Sequence, residues 1–313
     1  MLMRPFALLF IVLFLTGCAR APQTALTEKS AKQTQQTRPL STFSSVEVEG
    51  RINVRLRTGY SHPQIILHGD SRDLLQVITK VDNSKLIVHL GKGYPRFGAV
   101  SVELRGGQLR AFSYQGAGII RGNNIHSGFL ELSIDNPGNT TLGGSINLHK
   151  LNAKGGGYIQ ISDLSSRYLQ LSILGKTKVQ LTGVINLGTL DLEGDGLLGI
   201  YWIKSETLTI RAKDHSFVQL AGIVNKLDVA LCGSARFNGR YLRAKRAYVK
   251  TRGKSVAEIT ALDHQHTLAT DASDIYFYKI PDTKADFMAC DGSVLDMRDW
   301  NRYEMRDYDR YNK

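Results

Sequence analysis

The chain has 313 residues, of which 42% are apolar and 22% are charged, proportions typical of a folded protein rather than a disordered one. Forty Lys and Arg residues against 28 Asp and Glu residues give a net charge of +12, which favours anionic partners. Three cysteines are too few for a disulfide-rich scaffold, and no stretch beyond the N-terminal segment approaches the 18 apolar residues of a transmembrane helix.

The N-terminal segment has the three zones of a secretory signal. Arg4 precedes an apolar run, residues 6–15, and the sequence Leu-Thr-Gly follows directly before Cys18. This ending resembles the bacterial lipobox, in which the cysteine thiol is acylated and becomes the new N-terminus. We therefore predict a signal peptide over residues 1–17 and lipidation of Cys18, although an ordinary signal peptide followed by a free cysteine is the alternative. Ala19, where Asp would indicate inner-membrane retention, favours by analogy the outer membrane.

Removal of the signal leaves about 296 residues, enough for one long solenoid or two ordinary domains. Residues 18–42 are rich in Thr, Gln, Ala and Lys without apolar periodicity, which predicts a lipidated cysteine followed by a flexible linker. An exported protein rarely meets nucleic acid. We expect the membrane as a partner through the lipid anchor, and an acidic polysaccharide or lipopolysaccharide as a ligand. The sequence leaves open the oligomeric state and whether the body faces the periplasm or the outside.

Residues 43–108 read as an N-terminal β region. Val46 and Val48 alternate with polar residues, as strands with one buried face do. Residues 70–78 fit a helical turn or two with Asp70 or Ser71 as the N-cap.

Residues 109–280 repeat themselves. Pairs of alternating apolar residues recur at intervals of 18–21, for example Leu130/Leu132, Leu190/Leu192 and Leu227/Val229, and turn-forming residues follow most of them. A leucine-rich repeat has a similar period, but its Asn/Cys ladder is absent. The pattern predicts an all-β protein whose fold is a right-handed parallel β-helix, or β-solenoid, with coils of about 20 residues.

Two glycine-containing segments resemble a known family. The spacing Phe43-x-x-Val46-x-Val48-x-Gly50-x-Ile52-x-Val54, the Gly116-Ala117-Gly118-Ile119 turn and the glycine-punctuated repeats are similar to the auto-transporter adhesin head domain, also called the GIN domain. The resemblance covers roughly residues 43–278. It implies an exported, often lipid-anchored β-helix with an adhesin-like, non-enzymatic role, and it implies no catalytic residues and no cofactor.

A basic stretch stands out between Asp228 and Glu258, where no acidic residue occurs. We interpret it as a candidate polyanion-binding patch across two coils, able to hold sulfate, phosphate or uronate groups. A solvated basic face is the alternative. Tyr241 and Tyr248 nearby are either sugar-stacking rings or ordinary strand surface. The patch comprises Arg236, Arg240, Arg243, Lys245, Arg246, Lys250, Arg252 and Lys254.

An acidic cluster offers a different function. Asp191, Glu193 and Asp195 point outward in the predicted repeat, as calcium ligands or the acid/base pair of a polysaccharide lyase or hydrolase would. We favour a charge ladder instead, with Glu193 beside Arg211 and Asp195 near Lys213 in the next coil. The non-enzymatic function is therefore our first hypothesis, and a polysaccharide-active enzyme on the same fold is the alternative.

Three further features carry predictions. His264 and His266 share one strand face, but without further ligands we interpret them as turn residues and predict no metal site. Cys232 and Cys290 are a candidate disulfide that would staple the C-terminal segment to the body. Residues 281–313 depart from the repeat, which predicts either a capping helix that uses Met297, Trp300 and Tyr303 or a disordered tail.

Overall fold

The computed structural model describes residues 33–278 and 283–297 and shows a parallel β-helix of about nine turns, each of about 20 residues. This confirms the predicted all-β solenoid. The predicted signal peptide and Cys18 lie outside the described residues.

Eight elements form the N-terminal part. In chain order they are strand β1 (Gln33–Pro39), β2 (Ser45–Gly50), β3 (Ile52–Arg57), β4 (Gln64–Asp70), helix α1 (Ser71–Leu74), β5 (Val77–Asp82), β6 (Lys85–Leu90) and β7 (Val100–Arg105).

Twelve further strands continue the solenoid. They are β8 (Ala111–Gly116), β9 (Ile120–Asp135), β10 (Thr140–Lys154), β11 (Tyr158–Leu174), β12 (Lys178–Glu193), β13 (Leu197–Ala212), β14 (Phe217–Leu231), β15 (Arg236–Arg252), β16 (Val256–Thr270), β17 (Asp274–Phe277), β18 (Lys284–Cys290) and β19 (Ser293–Asp296).

The first solenoid strands in the chain, β2 and β3, do not form the terminal coil of the stack but lie one coil inside it. Strand β2 lies between β6 and β8, and β3 lies between β7 and β9, with all of these pairs parallel. Strands β5 and β4 run antiparallel along β6 and β7. They close the N-terminal end of the stack, where an open parallel edge would otherwise be exposed. Helix α1 follows β4 with Asp70 as its N-cap, as predicted.

The predicted flexible linker over residues 18–42 is partly wrong. Strand β1 within it pairs antiparallel with β4 along its whole length. The guanidinium group of Arg38 donates to the carbonyl oxygen of Val77 at 2.8 Å and to Thr79 Oγ1 at 2.9 Å. The strand has no apolar periodicity because it covers an edge with its backbone rather than its side chains, so composition alone did not reveal it.

The core consists of apolar residues that stack in register from coil to coil. Along one such inner row the spacing in sequence alternates between a longer and a shorter coil, so the true repeat is a pair of coils. The row contains Phe112, Leu132, Leu151, Leu171, Leu190, Ile210, Val229, Val249 and Thr267. The intervals of 18–21 residues in the sequence analysis were more uneven because some of the apolar pairs counted there, for example those that begin at Leu169 and Leu208, begin in a neighbouring row.

The alternation of coil length has a visible origin at one corner. Gly144, Gly183 and Gly222 recur on every second coil, each with a positive φ between 129° and 136°. Each faces a residue of the preceding, longer coil, and a Cβ on Gly222 would lie 2.1 Å from the carbonyl oxygen of Ile203. Only glycine combines this φ with so close a backbone contact, and it therefore allows the coil to be one residue shorter at this corner.

The solenoid extends further than predicted. Strands β18 and β19 pair in parallel with β16 and β17, so residues 283–297 form part of one more coil instead of departing from the repeat. Met297 is buried, as a capping role requires. Trp300 and Tyr303, the other residues of the predicted cap, lie outside the described part of the chain.

Substitution of a corner glycine should destabilise the fold. We expect Gly222→Ala to lower the free energy of unfolding by about 1–3 kcal/mol, because Ala is strained at this φ and its Cβ overlaps the backbone of Ile203. Gly199→Ala is the matched control, since a Cβ there meets no atom within 4 Å. Denaturant midpoints should separate the two variants. Equal midpoints would contradict the role of this corner.

Candidate binding surface on the C-terminal coils

The eight cations of the predicted basic patch all lie on one coil. Seven belong to strand β15 and Lys254 follows in the next turn, and all eight side chains are exposed. The pairing of β15 with β16 is interrupted after Gly239 and again after Ala244, where the strand turns corners of the coil. The cations therefore point to different sides of the solenoid, and the predicted single patch across two coils is wrong.

Several of these cations have local partners. Arg252 Nε lies 3.3 Å from Asp271 Oδ2, and Lys245 Nζ lies 4.0 Å from Asp263 Oδ2. The guanidinium carbon of Arg240 lies 4.5 Å from the ring centroid of Tyr278. Such contacts hold these side chains against the surface and reduce the charge that they offer to a ligand.

The structure instead places a column of basic residues along one edge. Lys226, Arg246, His264 and Lys284 pair in register on β14, β15, β16 and β18, so that neighbours lie about 4.8 Å apart along the solenoid axis. Among the described residues none of the four forms an ion pair with an acidic side chain. We call this column the basic ridge.

Two permanent cations of the ridge, Lys226 and Arg246, lie directly opposite one another on neighbouring strands. They repel in the free protein, and a bound anion relieves this repulsion. The ridge is thus suited to a polymer that carries anionic groups at short intervals.

A second column flanks the basic ridge two residues further along each strand. It contains Asp228, Tyr248, His266 and Asp286, and its two acids lie at its ends. The rings of Tyr248 and His266 stack with centroids 5.1 Å apart, and His266 Nδ1 lies 3.2 Å from Asp286 Oδ2. The flank also contacts the ridge, because Lys226 Nζ lies 5.5 Å from the ring centroid of Tyr248, but neither of its acids forms an ion pair with a ridge residue within the described chain.

Of the four ridge residues, sequence reasoning assigned only Arg246 to polyanion binding. The other three lie on other coils, each about one coil length from the next along the chain. Lys226, His264 and Lys284 become neighbours only when the register of the strands is known. A search for basic residues at multiples of the coil length would have found them.

Two acids of the cluster, Glu193 and Asp195, form ion pairs on the outer surface, with partners that differ from the predicted ones. Asp191 pairs in register with Arg211, and Glu193 Oε2 lies 3.6 Å from Lys213 Nζ. Asp195 lies 3.9 Å from Lys176 Nζ and 3.6 Å from His215 Nδ1. The predicted pairs were shifted by two residues because Leu190 stacks on Ile210 rather than on Leu208. All three acids are exposed, and the charge ladder that we favoured describes them.

The two histidines of the ridge region lie side by side. The rings of His264 and His266 are nearly parallel with centroids 6.4 Å apart. Among residues 33–278 and 283–297, no group of three or more His, Cys, Asp or Glu side chains is arranged to hold a metal ion.

Comparison with known proteins gives the family. A sequence model of the family described as "Putative auto-transporter adhesin, head GIN domain" matches residues 42–199 and 166–281. The chain belongs to this family. The resemblance of its glycine motifs is thereby confirmed, and membership supports an adhesin-like role at the cell surface or in the envelope.

Solved structures are similar to this chain at low identity. Two "putative adhesin" structures, from Parabacteroides distasonis and Parabacteroides merdae, are 15% and 16% identical to it, with TM-scores of 0.49 and 0.45. Each alignment covers 85% of this chain and 97–98% of the other. No curated protein matches the sequence. No helix in the described part of this family member is long and apolar enough to cross a membrane.

The predicted disulfide does not form in this GIN-domain structure. Cys232 and Cys290 are both free and exposed. The residues that precede them, Leu231 and Ala289, occupy one row with two strands between them, so the cysteines are about 14 Å apart along the axis. A disulfide needs Cα atoms within about 7 Å.

A cleft near the N-terminal end is the second candidate for ligand binding. Its volume is about 390 Å³, and Arg55, His68 and Glu103 line it. Glu103 is almost buried and accepts a hydrogen bond from Arg105 Nε at 2.7 Å, while Arg57 Nε lies 3.2 Å away. Burial acts to raise the pKa of Glu103, but the three neighbouring arginines outweigh it and hold that pKa below its ordinary value. The protein's own carboxylate thus already occupies this arginine cluster.

Loss of the Glu103 carboxylate should change stability in a pH-dependent way. A lowered pKa contributes stability above the ordinary pKa of glutamate, about 4.3, and this contribution is lost as the pH falls through the lowered value. We expect Glu103→Gln to lower the free energy of unfolding by roughly 1–3 kcal/mol at pH 7. The deficit should shrink toward pH 3. The exposed Glu131→Gln is the control, and a deficit that is constant with pH would contradict the assignment.

Proposed function

We propose that this protein is a non-enzymatic, lipid-anchored protein of the cell envelope that binds acidic polymers along the basic ridge. Its ligand class is an acidic polysaccharide or the anionic sugars of lipopolysaccharide. The observation that carries the proposal is the column of four basic residues, Lys226, Arg246, His264 and Lys284, without ion-pair partners among the described residues. The adhesin family supports a binding role at the cell surface or in the envelope.

The enzymatic alternative lacks a comparable arrangement. A glycosidase needs two carboxyl groups that flank one bond, with one of them free to give up or take a proton. Asp195 and Glu193 are instead engaged by Lys176, His215 and Lys213 on the exposed surface. A role as stacked surface charges accounts for these acids.

The anchor rests on the sequence. The apolar run, residues 6–15, and the Leu-Thr-Gly that precedes Cys18 fit an acylated cysteine in the outer membrane. Strand β1 begins at Gln33, so only the short segment 19–32 separates the lipidated cysteine from the solenoid. A fully extended segment of that length reaches about 50 Å at most.

Removal of charge from the ridge should weaken polyanion binding. We expect the triple variant Lys226→Ser, Arg246→Ser, Lys284→Ser to bind polygalacturonate and purified lipopolysaccharide about tenfold more weakly, and with a shallower dependence on salt. The triple variant Lys150→Ser, Arg167→Ser, Lys178→Ser is the control, because it removes two lysines and one arginine that are exposed on other coils. Its affinity should stay within about twofold of the wild type, as measured by titration at several salt concentrations. Equal losses in both variants would show a mere effect of net charge.

Replacement of Cys18 should release the protein from the membrane. We expect the wild type in the outer-membrane fraction and Cys18→Ser away from it, because the acyl chains supply the attachment. Protease treatment of intact cells then decides the orientation. Digestion of the wild type places the solenoid outside and supports adhesion, whereas protection until the outer membrane is opened indicates binding of periplasmic polymers. Retention of Cys18→Ser in the membrane would contradict the lipid anchor.

A further inference from the structure

Large apolar side chains are exposed together on four consecutive coils. Val184, Trp202, Ile223 and Tyr241 lie on β12, β13, β14 and β15, with exposures of 66%, 58%, 45% and 68%, and Tyr201 beside Trp202 is 56% exposed. A concentration of exposed aromatic surface is costly in water and usually marks a binding site. Sequence reasoning singled out only Tyr241 from this set.

The register of the strands aligns two of the aromatic rings. Ala221 pairs directly with Tyr241, and the pairing of Ile203 with Gly222 places Trp202 on the other side of Ala221. Trp202 and Tyr241 are thus two strand spacings apart, about 10 Å. The small side chain of Ala221 between them leaves a shallow gap, so both rings can contact one extended ligand.

Irregular pairing presents both rings at the surface. Strand β13 has one residue more than β14 between the pairs Ile200–Leu220 and Ile203–Gly222. Strand β15 likewise has one residue more than β14 before Tyr241. Bulges of this kind redirect side chains and recur near binding sites. These bulges account for the exposure of Trp202 and Tyr241 beside the half-buried Ala221.

A mixed basic row accompanies the aromatic one. Lys204, Ile223 and Arg243 pair in register two residues further along, on the same side of their strands. Neither Lys204 nor Arg243 has an ion-pair partner within the described chain, and neither row contains an acidic residue. We call the two rows, Trp202, Ala221 and Tyr241 with Lys204, Ile223 and Arg243, the aromatic–basic face.

We propose that the aromatic–basic face binds the sugar rings of an acidic glycan. The flat faces of an indole and a phenol stack on the apolar faces of pyranose rings, and the ammonium and guanidinium groups bind carboxylate or sulfate substituents. Because the face combines Lys204 and Arg243 with exposed aromatic rings, it favours a ligand that contains sugar rings and carries negative charge. The proposal rests on the proposed function and names its ligand class more closely.

The position of the face supports a polymer over a small molecule. Ile223 and Arg243 precede the ridge residues Lys226 and Arg246 by three positions on the same strands. One exposed row, Glu206, Asn225 and Lys245, separates the aromatic–basic face from the basic ridge around the coil. A glycan chain long enough to cross this distance contacts both, which increases affinity through linkage of two weak sites.

Tryptophan fluorescence tests the contact directly. The chain has two tryptophans, Trp202 and Trp300, so the variant Trp300→Phe reports on Trp202 alone. We expect saturable changes in its emission when the full-length lipidated protein, in detergent micelles, is titrated with oligogalacturonate. The methyl ester of the same oligosaccharide, which has no charge, should bind at least fivefold more weakly. An unchanged emission at saturating oligogalacturonate would overturn the proposal.

Substitutions separate this inference from the proposed function. Trp202→Ala and Tyr241→Ala should each weaken oligogalacturonate binding about fivefold to tenfold, and Trp202→Phe and Tyr241→Phe should restore most of it because a ring remains. Tyr168→Ala, a partly exposed tyrosine of β11, is the control and should bind as the wild type does. If the ridge variant loses binding while Trp202→Ala and Tyr241→Ala retain it, the face is not the sugar site and the proposed function stands.

Two other occupants of the face have distinct signatures. A second copy of the chain would give a dimer in sedimentation that Trp202→Ala and Tyr241→Ala dissociate, and this result would overturn the glycan assignment. A protein partner would leave oligogalacturonate without effect on either tryptophan emission or the denaturation midpoint. Trp202, Tyr241 and Tyr168 are exposed, so unchanged midpoints of their free variants will show that these variants fold.

Discussion

The backbone ladder between successive coils determines most other properties of this protein. From β8 to β17 each strand pairs in parallel with the next, so a residue stacks on its equivalent one coil later. A single register then fixes both surfaces. It places Leu190 on Ile210 inside the core, and it places Asp191 beside Arg211 on the outside. Core rows and surface columns are two consequences of one hydrogen-bond pattern.

The fold was accessible from the sequence because its signal is repeated, whereas the register was not. Apolar pairs such as Leu227/Val229 recur often enough to predict a solenoid without any single pair being decisive. A shift of two residues keeps every apolar residue inside, so Leu208 and Ile210 fit the core equally well as partners of Leu190. The register of each coil depends on its length, which is shorter at corners such as Gly222 with its positive φ, and the sequence does not distinguish this glycine from the others.

Surface chemistry follows from the register and was correspondingly harder to predict. Basic residues close together in sequence, such as Arg236 and Lys250, face different sides because they share one coil. Lys226 on β14 and Lys284 on β18 are far apart in sequence and yet belong to one column. Stacking also affects the stability of the fold. An opposite-charge column such as Glu193 with Lys213 stabilises its strands, whereas a like-charge column does not. The basic ridge, which forms no ion pair with an acidic side chain in the described part of the chain, is therefore a feature that folding alone does not explain.

The basic ridge extends into the coils where the core is least apolar. The central coils contribute Leu190 and Ile210 to the inner rows, whereas the C-terminal coils contribute Ala247, Gln265 and Thr267. The amide atoms of Gln265 are buried and find no hydrogen-bond partner in the described chain, which costs stability. Regions that bind ligands are commonly drawn from the less stable parts of a fold. A polymer bound across the C-terminal coils would bridge successive strands from outside, and so supply stabilisation where the core supplies least.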